Sequence, residues 1–195
     1  LFGNQADWGA GALISVLYNC TLTGNSANNA GGGTYYSSQT NCILYFNTAP
    51  SGPNYEEGSF AYSCVTPMPA GTGNITNEPS FVDAGSGYGT NHVAGNYRLK
   101  TGSPCVNTGT NQDWMVGATD LDGLPRIMGG AVDMGAYEYS DFQVLGTNLA
   151  VIENGQTAAS MADGTDYGDV GTLSTLTHTF TITNGLSVTV GLGLV

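Results

Sequence analysis

A 22-residue internal repeat is the feature that most constrains how this 195-residue chain can fold. Sliding the sequence along itself until Gly11 falls on Gly33 places Gly11–Ala27 over Gly33–Ala49, with seven of the 17 positions identical. Three of the identical pairs have side chains suited to stacking: Cys20 and Cys42, Leu22 and Leu44, Asn25 and Asn47. A further shift by the same amount from Cys42 reaches Cys64. A period of this length, with short strand-like runs between Gly and Asn turns, predicts one coil of a parallel β-solenoid per repeat over residues 1–73.

The repeat also predicts which side chains lie on one another. Equivalent residues of successive coils stack at the strand spacing of about 4.8 Å. We therefore expect Cys20, Cys42 and Cys64 to form an internal ladder of small buried side chains, with no metal or redox role. Asn25 and Asn47 are expected to stack at a turn, since Asn tolerates left-handed backbone and bonds its neighbours.

Two stretches of these coils carry a family resemblance. NNAGGGTYY (residues 28–36) and TNCILYFNTA (residues 40–49) resemble coils of large bacterial surface proteins with the right-handed parallel β-helix fold of the pectin-lyase-like group. The resemblance implies an all-β fold. It also raises the question of a polysaccharide-degrading activity, because many proteins of this group cleave pectin-like polymers, although a shared fold alone does not establish a shared function.

A different pattern replaces the repeat over residues 74–140. NITNEPSFVD, GNYRLKTGSPCVNTG and TDLDGLPRIMGGAVDMGAYEY follow one another in this order. Together they resemble the choice-of-anchor Q domain of bacterial secreted and surface proteins. The resemblance implies a β-rich cap at the C-terminal end of a β-helix, with no catalytic residue set. A cap is also expected physically, because an open solenoid end exposes unpaired strand edge and core.

The acidic residues of this segment are candidates for a metal site. Asp120 and Asp122 form a D-x-D-G turn, which supplies oxygen ligands in calcium loops, but the further ligands of an EF-hand are missing. We interpret these carboxylates as turn caps that pair with Arg126, and keep calcium as the alternative; no other cofactor is expected. The specific prediction is a bidentate bond from Arg126 to Asp120, Asp122 or Asp133.

Residues 141–195 change character again. The stretch DGTDYGDVGTLSTLTHTFTITN resembles the opening of the choice-of-anchor D domain, an immunoglobulin-like β-sandwich, and only about half of such a domain is present. Thr177–Gly185 alternates Phe and Ile with Thr and is its clearest predicted strand. Because the chain stops within an apolar run, we interpret it as an internal piece of a longer polypeptide.

Charge narrows the range of functions. Three basic residues against 15 acidic ones give a net charge of −12, which argues against nucleic acid as a partner. No apolar run is long enough for a transmembrane helix. No Lys or Arg precedes Arg98, and Glu56 and Glu57 are adjacent, so a catalytic face on the coils is not expected.

The expected function is that of a non-enzymatic, extracellular or cell-surface structural or adhesive protein, with polysaccharide or another surface protein as partner. One alternative is the non-catalytic end of a longer polysaccharide-active β-helix protein. Another is a carbohydrate-binding module whose stacking platforms come from six aromatic residues: Trp8, Tyr35, Tyr36, Tyr45, Tyr55 and Tyr62. Since Tyr35 and Tyr36 are adjacent, strand alternation predicts one ring outside and one inside.

Overall fold

The computed structural model describes residues 1–140, 142–145, 151–152, 160, 165–166, 177 and 179–184. Their regular structure consists of short strands and two single-turn 3₁₀ segments, Gly89–Asn91 and Asp113–Met115. The described part of the chain is therefore all-β, as the sequence predicts. Among the described residues, no helix has the length and apolarity needed to cross a membrane.

The chain divides into two compact units, Leu1–Tyr139 and Ser140–Val195. The predicted coil range 1–73 and nearly all of the predicted cap range 74–140 lie together in the first unit. The strands of that unit are β1 Gln5–Trp8, β2 Ala12–Leu13, β3 Val16–Tyr18, β4 Thr21–Leu22, β5 Ser26–Ala30, β6 Thr34–Thr40, β7 Ile43–Leu44, β8 Tyr55–Ala61 and β9 Cys64–Val65.

All pairing among these nine strands is parallel. β1 pairs with β5; β6 pairs with β2, β3 and β8; and β7 lies between β4 and β9. Equivalent positions along the chain therefore recur on neighbouring strands, which is the stacking that the repeat predicts.

The register of the strands differs between the two steps of the repeat. From β4 to β7 the offset equals the repeat length, with Leu22 beside Leu44. From β7 to β9 the offset is one residue shorter, so that Ile43 lies beside Cys64 and Leu44 beside Val65. The prediction is confirmed for the first step and wrong for Cys64, because a slip of one residue moves every side chain of a strand to the opposite face.

The inner face of β4, β7 and β9 forms one hydrophobic cluster with Cys42 and Phe60, to which Leu22, Leu44 and Val65 belong. A column of side chains runs beside it. The Cys20 N–H donates to Cys42 Sγ at 3.5 Å, and the Cys42 N–H donates to Ser63 Oγ at 3.1 Å. Ser63 therefore occupies the place that the 22-residue repeat predicts for Cys64.

The outer face of the same strands forms a second cluster with residues 74–139. Ile43 and Cys64 pack there in a buried group completed by Phe81, Tyr97, Leu99, Cys105 and Met134. The segment also reaches earlier rungs, since the Gly135 N–H donates to the Asn41 carbonyl at 2.8 Å and the Ala136 N–H donates to Thr21 Oγ1 at 3.1 Å. The segment thus covers a side of the strands as well as the edge of the last strand, where Ile75 forms a parallel bridge with Cys64.

In the second unit, β10 (Phe142–Leu145) pairs antiparallel with β11 (Val151–Ile152) and with β12 (Thr181–Asn184). The strand predicted within Thr177–Gly185 is confirmed at β12. The predicted immunoglobulin-like arrangement of 141–195 falls largely outside the described residues.

Candidate functional site: an exposed aromatic face

Three aromatic side chains meet on the surface of the first unit, and we call Trp8, Tyr35 and Tyr36 the aromatic face. Trp8 ends β1 and is 45% exposed, while Tyr36 lies in β6 and is 56% exposed. The half-buried Tyr35 links them, with ring centroids 5.2 Å from Trp8 and 4.6 Å from Tyr36. These distances are those of directly packed aromatic rings, so the three side chains form one continuous surface.

The backbone of Tyr36 explains why neither tyrosine ring points into the core. Tyr36 has a φ of 50°, which places it in the left-handed region and interrupts the alternation of β6. Thr34, Ser37 and Gln39 take the buried positions of the strand instead. The prediction that one of the two rings would lie inside is therefore wrong.

Carboxylates lie beside the aromatic face. Glu56 is the register partner of Tyr35 on β8, and its Oε2 accepts a hydrogen bond from Ser51 Oγ at 2.9 Å. Glu57 follows Glu56 in the same strand. Partial burial, followed by the neighbouring Tyr36 and then by Glu56, raises the pKa of Tyr35. The face thus combines apolar rings with hydrogen-bond acceptors of negative charge, which favours ligands rich in neutral hydroxyl donors over anions.

The other three predicted stacking platforms pack against the hydrophobic clusters of the first unit; they are Tyr45, Tyr55 and Tyr62. The Tyr45 hydroxyl donates to the Thr76 carbonyl at 2.8 Å, and Tyr45 and Tyr62 pack against the outer-face cluster. The ring of Tyr55 packs edge-on against Phe60 at 4.7 Å, beside the inner cluster. These three rings stabilise the unit, and only the aromatic face remains a candidate platform among the six.

The stacking predicted for Asn25 and Asn47 is confirmed and continues beyond them. Asn25 Nδ2 donates to Asn47 Oδ1 at 2.9 Å, and the Asn25 N–H donates to the same oxygen at 3.0 Å. Asn4 bonds Asn25 in the same way, and Asn47 in turn donates to Asn54 Oδ1 at 3.1 Å. Asn4 precedes Asn25 by nearly one repeat, a spacing visible in the sequence, whereas Asn54 follows Asn47 by a fraction of a repeat and carries no periodic signal.

Arg126 is buried, but its predicted bidentate bond to an aspartate is wrong. Its guanidinium donates to two backbone carbonyls, those of Ala136 and Gly135, each at 3.0 Å. Its nearest acid is Glu138, with Oε1 3.4 Å from Nη2. The bidentate pair of this segment is instead Arg98 with Asp122, joined by contacts of 2.6 and 2.5 Å.

The two calcium candidates are occupied by protein donors. Asp120 Oδ1 accepts the N–H groups of Asp122 and Leu124, both at 2.8 Å, and its Oδ2 accepts the Glu138 N–H at 2.8 Å. Both oxygens of Asp122 accept from Arg98. Carboxylates committed to N–H donors do not fit a calcium site, and the turn-capping interpretation of Asp120 accounts for its contacts.

Two further carboxylates have strongly altered acidity. Burial raises the pKa of Asp133 to about 6, and burial followed by the charge of Asp133 raises the pKa of Glu138 to about 8. Such shifts often mark catalytic groups. Here the exposed fractions are only 2% and 4%, and Asp133 accepts the Asn107 N–H at 2.7 Å and the Tyr139 N–H at 2.5 Å. The contacts of Asp133 are those of a structural residue, inaccessible to a polymer.

A cavity of about 330 Å³ lies beside Arg126, with Tyr18, Cys20, Trp114 and Asp120 in its wall. The thiol–thiol hydrogen bond with Cys42 is the main cause that lowers the pKa of Cys20 to about 7. Among the residues that the structure describes, the carboxylate in the cavity wall is that of Asp120, which accepts three hydrogen bonds from backbone N–H groups.

Comparisons of the chain with known protein families, with curated proteins and with solved structures find no match. Function therefore has to be inferred from the residues of the chain itself.

Proposed function

We propose that this chain is a non-enzymatic part of a bacterial extracellular or cell-surface protein that binds neutral polysaccharide through the aromatic face. In this proposal residues 1–73 belong to a right-handed parallel β-helix, residues 74–140 form a segment of the choice-of-anchor Q type, and residues 141–195 begin an immunoglobulin-like domain. The parallel strand pairing, at the repeat length or one residue less, supports the first of these assignments.

The observation that carries the proposal is the exposed aromatic face and its flanking acids. The C–H groups of a sugar ring carry partial positive charge and pack well on the negative faces of aromatic rings. Carboxylates such as Glu56 can accept hydrogen bonds from sugar hydroxyls. Since none of the three basic residues of the chain precedes Arg98, the strand region (residues 1–73) has no basic side chain to neutralise an acidic polymer. Neutral glycans are therefore the ligand class that this surface suits.

The parallel strands bring the three rings together on a backbone with little freedom to move. Trp8 and Tyr35 lie on strands that are hydrogen-bonded within sheets, and the buried asparagine stack ties successive rungs together. Binding to a preformed surface loses less conformational entropy than binding to a mobile loop. This is the property expected of an adhesive or structural module.

A second proposal, from the same resemblance, is that the chain forms the non-catalytic end of a longer polysaccharide lyase or hydrolase. It is supported by the polysaccharide-suited surface combined with carboxylates that are buried or paired, as Asp133 and Asp122 are. The two proposals agree on binding and differ only in the protein to which this chain belongs.

The test is a binding titration with soluble neutral β-glucan, with polygalacturonate as the acidic comparison. We expect the neutral polymer to bind and the Trp8→Ala and Tyr36→Ala variants to bind roughly tenfold more weakly, as for loss of an aromatic anchor. Trp114→Ala is the matched control, because Trp114 is also half exposed, at 50%, but lies outside the aromatic face. Equal losses in all three variants, or tighter binding to polygalacturonate, would contradict the proposal.

The non-enzymatic part is tested separately. Incubation with pectate or alginate in the presence of calcium should release no unsaturated uronide, and incubation with the neutral polymer should release no new reducing ends. Measurable release that disappears in a variant of a single carboxylate would overturn this part and leave the binding result unaffected.

A further inference from the structure

A column of three exposed side chains crosses the aromatic face from rung to rung, and we call it the strip. It consists of Ile14, which follows β2, Tyr36 in β6 and Glu57 in β8. The residues that directly precede these three are register partners of one another in the parallel sheet. The three positions therefore lie side by side on successive rungs, at the strand spacing of about 4.8 Å.

The backbone has the same irregularity at all three positions of the strip. Ile14, Tyr36 and Glu57 have φ values of 46°, 50° and 55°, in the left-handed region, which interrupts the alternation of a strand. Ile14 is 76% exposed, and Glu57 is exposed as well. Along β6, in contrast, the exposed surface ends at Tyr36, because Ser37 and Gln39 are buried. The exposed surface therefore continues across the strands and not along them.

The residue types of the strip are unusual for left-handed backbone. Another set of left-handed positions on the same rungs consists of Gly9, Gly31 and Gly52, and glycine adopts this conformation without strain. The strip instead has an aliphatic, an aromatic and an acidic residue, and the β-branched Ile14 is the least suited of the three. Strained positions of this kind cluster at functional sites. The side chains of the strip are therefore candidates for ligand contacts.

The aromatic rings form a corner beside the strip. The ring planes of Tyr35 and Tyr36 meet at 84°, so that one ring stands as a wall beside the face of the other. Trp8 packs on Tyr35 at an angle of 43° and extends the aromatic surface there. A sugar ring stacked on one of these rings has its edge beside another ring.

We propose that the strip binds the glycan chain along its length, with the sugar chain running across the strands and one sugar unit held in the aromatic corner. This inference rests on the glycan binding proposed above and adds the direction of the chain and two contact residues. Ile14 offers an aliphatic surface to the C–H groups of one unit, and Glu57 accepts hydrogen bonds from the hydroxyls of another. The strip spans two strand spacings, about 10 Å, which is the length of a disaccharide.

The experiment is a titration of wild type, Ile14→Gly and Glu57→Gly with the same soluble neutral β-glucan. We expect both variants to bind roughly fivefold more weakly, a smaller loss than that of an aromatic anchor. Ser80→Gly is the matched control and should bind as the wild type does, because Ser80 also has a left-handed φ, of 55°, but lies in the segment 74–139. Glycine suits this backbone, so the variants should fold, and their melting temperatures verify it.

A second measurement uses the wild-type chain alone. A β-linked glucose disaccharide should compete with the polymer at a roughly tenfold lower concentration than glucose, because it contacts two positions of the strip. Equal competition by the two sugars would mean that one unit fills the site and would overturn the inference.

The outcomes separate this inference from the proposed function. Wild-type affinity in Ile14→Gly and Glu57→Gly, with weaker binding in Trp8→Ala and Tyr36→Ala, would overturn the strip and leave the aromatic face as the binding site. An equal loss in Ser80→Gly would also overturn it. No binding of the neutral polymer by the wild-type chain would instead overturn the glycan proposal itself.

Discussion

Within the first unit, the strand region and the segment 74–139 satisfy their buried polar groups in different ways. In the strand region one kind of bond recurs from rung to rung: Asn4 donates to Asn25 as Asn25 donates to Asn47. In the segment, isolated bridges such as that of Phe81 with Leu99 replace continuous strands. There, backbone N–H groups bond to buried carboxylates, as the Tyr139 N–H does to Asp133.

This difference determines whether the stability of each region responds mainly to mutation or to pH. A stack of neutral side chains carries no charge, so its stability should be insensitive to pH, but each member holds two rungs together. The carboxylates of the segment are charged groups in a buried place, and their stability contribution depends on protonation and on a few cations. We therefore expect mutations in the asparagine stack to destabilise the unit without changing how its stability depends on pH. Mutations of the buried carboxylates should change that pH dependence.

The largest loss of stability is expected from Asn47→Ala, which removes one member of the asparagine stack. Asn47 Oδ1 accepts two bonds from Asn25, and Asn47 Nδ2 donates to the Leu22 carbonyl at 2.9 Å. Alanine would leave these buried groups without partners, at a cost of about 4 kcal/mol in the free energy of unfolding. Both tryptophans of the chain, Trp8 and Trp114, lie in the first unit, so their fluorescence during urea unfolding reports that unit alone.

Asn28→Ala provides the matched control. Asn28 lies in β5 and donates a hydrogen bond to the Asp7 carboxylate at 2.8 Å, but it is exposed to solvent. Its replacement should cost less than about 1 kcal/mol. Equal losses for Asn28→Ala and Asn47→Ala would show that the buried stack has no special part in holding the rungs together.

The pairing of Asn25 with Asn47 was predictable from the sequence, because it depends on the repeat spacing alone. The third rung shows where prediction from spacing fails. Identity of Cys42 and Cys64 favoured an offset of one full repeat, whereas the strands pair one residue short of it. Gly31 and Gly52 both have left-handed backbone, and their separation along the chain equals that of the paired Ile43 and Cys64. This glycine spacing is the signal in the sequence that indicates the shorter offset. A matched turn glycine was here a better guide to register than a matched cysteine, because the turn fixes where the next strand begins.

The contacts of the segment 74–139 could not be read from spacing. The sequence predicts that Arg126 pairs with a nearby aspartate, yet Asp122 pairs with Arg98, which is much farther from it along the chain. The turn-capping role predicted for Asp120 agrees with its contacts, because the N–H groups of Asp122 and Leu124 that it accepts are local. Local turn chemistry was therefore predictable, and the choice of ion partners, which depends on how a chain without repeats packs, was not.

A smaller, pH-dependent effect on the stability of the unit is expected from the ionisation of Glu138. Its pKa is about 8 in the folded protein, because of burial and then of Asp133, against an ordinary value of 4.5. Between these values the folded state binds the proton more tightly than the unfolded state does. Its contribution is fully present below pH 4.5 and is lost as the pH rises through 8. We expect the unit to lose about 2 kcal/mol of stability between about pH 6 and about pH 8.5.

Glu138→Gln tests the assignment of that pH dependence. Glutamine keeps an oxygen to accept the Asp133 N–H, which Glu138 Oε2 accepts at 3.0 Å, and it cannot ionise. The variant should therefore show a flatter profile over the same range, and Asn47→Ala should show the wild-type slope at lower stability. An unchanged slope in Glu138→Gln would place the titrating group elsewhere.

The smallest effect on the stability of the unit is expected from the ion pair of Arg98 with Asp122, although its geometry alone would suggest the strongest interaction. Its two contacts are short, and the guanidinium also lies 4.7 Å from the centre of the Tyr137 ring, but the Arg98 side chain is 30% exposed. Water and salt screen such a pair, so its coupling energy should be about 1 kcal/mol and should fall at high salt. A double-mutant cycle with Arg98→Met and Asp122→Asn measures it. A coupling energy as large as the stability lost in Asn47→Ala, and unaffected by salt, would show that solvent exposure does not weaken this ion pair relative to the buried stack.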